Sequence, residues 1–243
     1  MKHREMAGRM MSLAGLVLLA TTTLAAAAEP LQPFRATYAV VWHGFDAGTT
    51  ELHLQRQSDS QFIYTSKSNA AGLFRAFFSN EISQTSWLTV TPDGIRPDRY
   101  RADDGSSRTA RDVSLDFNWE TGHARGVAED QAVDVALEPH TQDDLSITIA
   151  LMYALLNGKQ PSTFSLVDKD RVKEYRYTSE GTAQLKTAVG DLDTVVYRSQ
   201  RSGSKRVTRM WYAPALGYVP VRGEQLHDGK REWQMDIRTI QRE

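Results

Sequence analysis

Length, composition and charge already exclude several classes of protein. The chain has 243 residues, a formal net charge of −1 and no cysteine. A protein this close to neutral is not a nucleic-acid binder by bulk charge. Without thiols it can form no disulfide and carry no cysteine-linked lipid, so a hydrophobic core must stabilise the fold.

The first 28 residues have the three-part order of a secretory signal peptide rather than of a buried N-terminal helix. A short basic region ends at Arg9, an apolar run follows over 10–20, and small residues lead to Ala28. The apolar run is shorter than the roughly 20 residues that a membrane-spanning helix needs. We therefore predict cleavage after Ala28. The mature part, residues 29–243, should be one soluble β-rich domain in a bacterial periplasm, without a transmembrane anchor.

Apolar and polar residues alternate from Phe34 onward, which is the period of a β-strand. Turn-forming pairs such as Asp228-Gly229 separate the alternating segments. Strands are predicted at 34–42, 51–57, 61–68, 82–90, 95–101, 111–119, 123–127, 132–137, 164–167, 172–178, 184–189, 194–200, 206–212, 218–226 and 231–240. Many short strands in hairpin succession indicate a mainly β fold, either a curved antiparallel sheet or an open half-barrel.

One helix interrupts the strands at about 142–157. Thr141 and Asp144 have the spacing of a capping box, and Gly158 is placed to end the helix. The residues between these ends are apolar on almost every side. Because such a helix must be buried on most sides, we place it in the concavity of the sheet.

A shorter segment, residues 72–78, lies between the strands predicted at 61–68 and 82–90, and its large apolar side chains recur at helical spacing. It packs into the core or forms a flap over the mouth of the barrel, where it would gate an apolar ligand. The second interpretation, together with aromatic residues elsewhere, gives a set of candidate ligand-binding residues. These are Trp42, Leu73, Phe74, Phe77, Phe78, Met152, Tyr153 and Trp211.

Arginines are frequent on the C-terminal hairpins. Strand alternation makes most of them the solvated face of a sheet. The alternative is an anion-binding patch of Arg206, Arg209 and Arg222, because arginine holds phosphate or carboxylate through two parallel hydrogen bonds.

Residue types that perform catalysis or bind metals are present without a diagnostic spacing. Glu138, His140, Asp143 and Asp144 are close in sequence, but the two adjacent acids project about 100° apart on a helix. Helix capping is the simpler interpretation of these acids, and no repeated histidine spacing typical of zinc sites occurs. His43 lies at a strand end, and the chain has no Gly-x-Ser-x-Gly elbow. We predict no catalytic residue, no metal and no cofactor.

Five short segments spread over nearly all of residues 29–243 form a recognisable combination. They are Tyr38–Trp42 with Gly48, Gly94–Pro97, Gln142–Asp143, Thr187–Gly190 and Met210–Arg222. This combination resembles a family of uncharacterised exported proteins, domain of unknown function 3108. The resemblance implies a curved-sheet periplasmic protein with a fold similar to that of periplasmic lipoprotein carriers. It implies no catalytic residues, and a fold by itself does not establish an activity.

Three functions remain open at this point. The leading hypothesis is a non-enzymatic envelope protein that binds or carries an apolar or lipid-like ligand. The first alternative is a hydrolase of envelope glycans or lipids that uses His43 or the acids within 138–144. The second is an assembly or scaffold factor that acts on an envelope protein through a sheet edge or the arginine-bearing hairpins.

Overall fold

The computed structural model describes residues 30–76, 81–106, 111–168 and 171–243. The predicted signal peptide and the predicted ligand residues Phe77 and Phe78 lie outside the described residues. The same holds for the side chain of Leu73. None of the helices within the described ranges combines the length and the hydropathy required to span a membrane.

Fifteen strands form one sheet in the described part of the chain. The first eight are β1 (Phe34–Trp42), β2 (Phe45–Arg56), β3 (Gln61–Ala70), β4 (Ile82–Thr91), β5 (Gly94–Asp103), β6 (Val113–Asn118), β7 (His123–Ala128) and β8 (Gln131–Ala136). The others are β9 (Thr141–Gln142), β10 (Thr163–Asp168), β11 (Arg171–Thr187), β12 (Gly190–Arg201), β13 (Arg206–Ala213), β14 (Val219–His227) and β15 (Lys230–Arg242). Helix α1 (Ser146–Leu156) lies between β9 and β10, and 3₁₀ turns occupy Gly72–Ala76 and Pro214–Leu216. The two strands predicted over 172–189 are the single long strand β11.

The strand order shows that the sheet is open. It runs β8-β7-β6-β5-β4-β3-β2-β1-β15-β14-β13-β12-β11-β10-β9, so β8 and β9 are its two edges. Neighbouring strands are antiparallel, except that β9 runs parallel to β10. Strand β1 pairs with both β2 and β15, which joins the N-terminal and C-terminal hairpins at the middle of the sheet. The predicted curved antiparallel sheet with one buried helix is confirmed.

Helix α1 begins four residues later than predicted because a different acid caps it. The Oδ1 atom of Asp143 accepts hydrogen bonds from the backbone N–H groups of Leu145 (2.9 Å) and Ser146 (2.6 Å). The Ser146 hydroxyl accepts one in return from the Asp143 N–H, which completes a reciprocal cap. The predicted cap by Thr141 and Asp144 is therefore wrong. Thr141 belongs to β9, whose pairing with β10 draws this residue into the sheet.

The end of α1 agrees with the prediction. Gly158 adopts a left-handed conformation with φ of 65°, and its N–H bonds to the Leu155 carbonyl at 3.0 Å. The Lys159 N–H reaches back to the Ala154 carbonyl at 2.9 Å. Together these two bonds satisfy carbonyl groups that the last turn leaves without helical partners.

The concave face of the sheet changes from closed core to open surface along single strands. On β1, Phe34, Ala36 and Tyr38 are fully buried, whereas Trp42 on the same face is 42% exposed. Helix α1 fills the closed end, where Ile149 and Leu151 are also fully buried. The half-barrel thus has a packed bottom and an accessible mouth.

Gly48 allows two strands to approach closely near the mouth. It lies at a bulge of β2 opposite Val40 and Val41, with φ of 125°. A Cβ atom at this position would lie 2.0 Å from the Asn69 carbonyl oxygen of β3. Only glycine fits such a contact, which gives a structural reason for its presence in the segment noted above.

Candidate functional site

A cavity of about 460 Å³, here called the central cavity, lies inside the half-barrel. Its walls are the inward-facing side chains of β1–β4 and β10–β15 and the beginning of α1. Leu145 and Ile147 at the start of the helix and Leu52 and Leu166 from the sheet give it an apolar base. The cavity therefore depends on strands from both halves of the chain.

A belt of polar side chains surrounds the middle of the central cavity. Its members occupy positions that strand alternation directs inward. They are Thr50, Ser66, Ser68, Gln84, Ser199, Thr208 and Gln225. The Thr50 and Ser68 hydroxyls are 2.7 Å apart, and the Gln225 amide donates to the Thr208 hydroxyl at 3.2 Å. Because polar groups are costly to bury in a dry core, a belt at inward positions indicates an interior that contacts water or a polar ligand.

Five tyrosines also line the central cavity. They are Tyr64, Tyr175, Tyr177, Tyr197 and Tyr212. The Tyr64 hydroxyl is fully buried and has no hydrogen-bond partner among the described residues. Burial raises the pKa of Tyr64 well above the usual range, so its hydroxyl stays protonated and able to donate. A buried donor without a partner costs about 1 to 3 kcal/mol.

Asp144 supplies the one carboxylate that the described residues place in the wall of the central cavity. No hydrogen bond or ion pair to this carboxylate is found within the described ranges, whereas the carboxylate of its neighbour Asp143 caps the helix. Solvent reaches this side chain through the central cavity, which is open. The surrounding protein nevertheless desolvates the carboxylate and raises its pKa to about 7, with further upward contributions from Asp143 and Asp168. Lys173 opposes the increase.

The groups around Asp144 leave its charge uncompensated. Lys173, the nearby cation, forms an ion pair with Asp168. Asp143 is fully buried, and its Oδ2 accepts a hydrogen bond from the Ser86 hydroxyl of β4 at 2.6 Å. Burial raises the pKa of Asp143 to about 6, while the bond from Ser86 lowers it. Of the described charges that act on Asp144, two are acids and the one cation is already paired.

An apolar cavity of about 590 Å³, here called the mouth cavity, adjoins the central one. The two share Val40, Thr50 and Ser68 in their walls. Trp42 and Phe74 supply the largest apolar side chains of the mouth cavity. Exposed aromatic surface of this kind at a cavity entrance is typical of a binding site.

The structure separates the predicted ligand-binding residues into groups. Trp42 and Phe74 both line the mouth cavity. Met152 is 1% exposed and belongs to the core below the cavity. Tyr153 lines a different cleft of about 250 Å³ at the far end of the helix. Trp211 lines neither the central nor the mouth cavity, because Met210 and Tyr212 take the inward positions of β13.

The three arginines of the predicted anion patch each have an acidic partner. Arg206 pairs with Glu232 at 3.3 Å, Arg209 with Glu180 at 2.7 Å, and Arg222 with Asp236 at 2.5 Å. None of the three lines the central or the mouth cavity. The anion patch remains a prediction and carries no part of the site described here.

The residues proposed for catalysis do not share a cavity. His43 occupies a tight turn with φ of 47° and lines neither cavity. His140 lines clefts on the other side of the helix start, and the Glu138 carboxylate accepts a hydrogen bond from the Ser165 hydroxyl at 2.7 Å. Only Asp144 faces the central cavity, so the hydrolase alternative has no converging pair of groups within the described ranges. The scaffold alternative remains a prediction.

Sequence analysis missed the central cavity, although a signal for it was present. In the strand predicted at 61–68, the inward face reads Phe62, Tyr64, Ser66, Ser68, so it changes from apolar to polar along its length. Thr50 and Gln84 continue the change on the neighbouring strands. Polar residues on a face that should be buried predict a wet interior. Asp144 was interpreted as a cap, and its true surroundings depend on strands far away in sequence.

Comparison with known proteins places this architecture in a class of β-barrel-like proteins. A crystal structure of a β-barrel-like protein of domain of unknown function DUF1849 from Brucella abortus matches with a TM-score of 0.56 and 11% identity. The match covers 88% of this chain and 98% of that one. The chain belongs to the family described as protein of unknown function (DUF3108), whose model matches residues 34–233. The predicted resemblance is thereby confirmed.

Two further comparisons add no functional argument. The Pseudomonas aeruginosa MucA/MucB complex matches with a TM-score of 0.40 and 11% identity, over 87% of this chain and 52% of that chain. No curated protein matches the sequence. The similarity to solved structures at these identities concerns the fold alone.

Replacing Asp144 by asparagine is expected to raise the thermal unfolding temperature at pH 7.5 by about 2 to 6 °C. The folded protein holds the Asp144 proton up to a pKa of about 7, whereas an unfolded aspartate releases it near 3.8. The stabilisation from this proton is complete below about pH 4 and is lost as the pH rises through 7. Asparagine mimics the protonated state. Water in the cavity screens the charge, so we expect about 1 to 2 kcal/mol.

The measurement compares melting curves of the variant and the wild type at pH 5 and pH 7.5. The difference in melting temperature between the variant and the wild type should be larger at pH 7.5 than at pH 5. Asp116→Asn, which changes an acid of β6 with a 60% exposed side chain, is the matched control and should show no such trend. An asparagine variant that melts below the wild type at pH 7.5 would contradict this description of Asp144.

Proposed function

We propose that this protein is an exported envelope protein that binds an amphipathic, lipid-like ligand in its half-barrel and performs no reaction on it. The observation that supports this most directly is the adjacency of an apolar mouth cavity and a polar central cavity with common wall residues. The order of basic, apolar and small residues over 1–28 supports export to the periplasm.

The two cavities favour an amphipathic ligand over a purely apolar or a purely polar one. An apolar ligand in the central cavity would remove Asp144 and the polar belt from water without replacing their hydrogen bonds. A small polar ligand would leave the Trp42 and Phe74 rings of the mouth without a function. A molecule with a polar head in the central cavity and an apolar tail in the mouth cavity contacts the polar belt and the apolar rings at the same time. Cavities of 460 and 590 Å³ are in the usual size range for small-molecule sites.

The geometry also explains how such a ligand would enter. Trp42 is 42% exposed, and its cross-strand partner Phe45 is 67% exposed. These rings stand at the tip of the β1–β2 hairpin, beside the mouth cavity. An apolar tail can contact them before the polar head reaches the belt, so entry requires no opening of the packed core.

The test is native mass spectrometry with organic extraction of protein purified from the periplasm without detergent. Ser66→Leu fills the central cavity from β3, whereas Thr65→Leu places the same side chain on the opposite face of that strand. We expect a co-purifying amphiphile in the wild type and in Thr65→Leu, with at least about a tenfold lower occupancy in Ser66→Leu, which corresponds to about 1.4 kcal/mol. Equal ligand content in both variants, or none in the wild type, would refute the proposal.

A further inference from the structure

The residues in the wall of the central cavity indicate which charge its ligand carries. We propose that the central cavity recognises an amphiphile with a cationic ammonium head, for which the Asp144 carboxylate is the counter-ion. This inference rests on the proposed function and adds the chemical class of the ligand.

The first argument is the charge balance of the wall. No lysine or arginine side chain lines the central cavity in the described ranges, and Asp144 is its single charged group. Among the described residues, the charges that act on Asp144 are Asp143, Asp168 and Lys173, and Lys173 is paired with Asp168. Arg201 acts on Tyr175 of the wall. A phosphate or sulfate head would therefore meet repulsion, and a neutral head would leave the carboxylate without a counter-charge. A cation compensates the charge directly.

The second argument is the aromatic surface around the carboxylate. The central cavity is lined by five tyrosines and Trp233. Tyr175 and Tyr177 lie close enough to Asp144 for its charge to raise their pKa, although burial is the larger cause for both. Aromatic faces attract ammonium groups through their electron-rich rings, and a carboxylate within such an enclosure strengthens the preference.

The third argument is the polar belt, whose hydroxyl and amide groups line the central cavity beside its aromatic wall. Tyr64 and Ser66 follow each other on the inward face of β3. Because the Tyr64 hydroxyl is itself fully buried, the Ser66 hydroxyl is the one of the two that a ligand can reach. The cavity thus offers a counter-ion, aromatic side chains and polar groups to a single small head group.

The test uses three amphiphiles with the same twelve-carbon tail, namely dodecylamine, dodecyltrimethylammonium and dodecyl sulfate, each below its micelle concentration. Binding is measured by isothermal titration at pH 7.5 and by the change in tryptophan fluorescence, to which Trp233 of the central cavity contributes. We expect dodecylamine to bind at least about tenfold more tightly than dodecyl sulfate. Asp144→Asn should reduce dodecylamine affinity at least about tenfold and leave dodecyl sulfate binding equal or stronger.

Asp116→Asn is the control for a general change of charge, and melting curves establish that each variant is folded. Dodecyltrimethylammonium has no N–H donor, so its affinity relative to dodecylamine reports how much the aromatic faces contribute. If dodecyl sulfate binds the wild type as tightly as the two cations, or if Asp144→Asn retains the preference for them, the inference is wrong while the proposed function stands. If none of the three binds to the wild type, both are wrong.

Discussion

Replacing Leu151 by alanine is expected to lower the free energy of unfolding by about 2 to 5 kcal/mol. Leu151 is fully buried in α1, at the closed end of the half-barrel. Its truncation removes apolar contacts and leaves a void that the surrounding strands can fill only in part. Urea or thermal unfolding of the purified variant measures the loss.

Phe74→Ala is the matched comparison, because it also truncates a large apolar side chain. Phe74 lies at the mouth cavity and is only partly buried. We expect it to cost about 1 kcal/mol or less, since elements that border a binding site contribute little to global stability. Equal destabilisation by the two variants would place Phe74 in the core and remove the main reason to regard the mouth cavity as a ligand entrance.

Replacing Asp143 by alanine is expected to destabilise the fold by about 2 to 4 kcal/mol. Its carboxylate accepts hydrogen bonds from the N–H groups of Leu145 and Ser146 and from the Ser86 hydroxyl. Alanine would leave these three donors unsatisfied at buried positions, and the loss exceeds what is regained by removing a desolvated charge. Asp143 therefore links the start of α1 to β4.

The conservative change Asp143→Asn should recover part of the stability. Its carbonyl oxygen can still accept from the helix N–H groups, and its amide can donate to the Ser86 oxygen. Asp134→Ala removes an exposed acid that contacts His123 at 2.6 Å and Arg125 at 3.0 Å, and it should destabilise the fold much less than Asp143→Ala, because solvent screens exposed ion pairs. An Asp143→Ala variant as stable as Asp134→Ala would contradict the proposed link between helix and sheet.

The adjacent acids Asp143 and Asp144 illustrate how one turn of chain supplies both structure and site. The first is satisfied by three hydrogen bonds, whereas the second has no side-chain hydrogen bond within the described ranges and lines the central cavity. We therefore expect Asp143→Ala to destabilise the fold and Asp144→Asn to stabilise it. The stability that the protein loses by keeping the Asp144 carboxylate is a common compromise between stability and function at a binding residue.

Local sequence patterns predicted most of the sheet because its strands follow one another in hairpins. Alternation and turn residues such as Asp228-Gly229 are properties of adjacent residues, so they needed no knowledge of the fold. Features that depend on distant pairing were missed. Residues 141–142 pair with 165–166 in β10, and this contact shifts the start of α1.

Which face of β13 meets the cavity was also not predicted from local sequence. Met210 and Tyr212 share one face by simple alternation, and the extra residue at the register shift between Trp211 and Tyr212 lies on β14. The sequence favoured Trp211 as a ligand residue because it is large and aromatic, whereas Met210 and Tyr212 face the central cavity. The role of Asp144 could not be derived locally either, since the groups that interact with it lie on β5, β10 and β11.

The most direct measurement is a crystal structure of the protein purified from the periplasm without detergent, with its co-purifying ligand. Binding in the half-barrel predicts continuous density for an apolar tail beside Trp42 and Phe74. The polar head should lie within about 3 Å of the Asp144 carboxylate. A ligand bound outside the half-barrel, or side chains that close the central cavity around Tyr64 and Ser66, would contradict the proposed binding function.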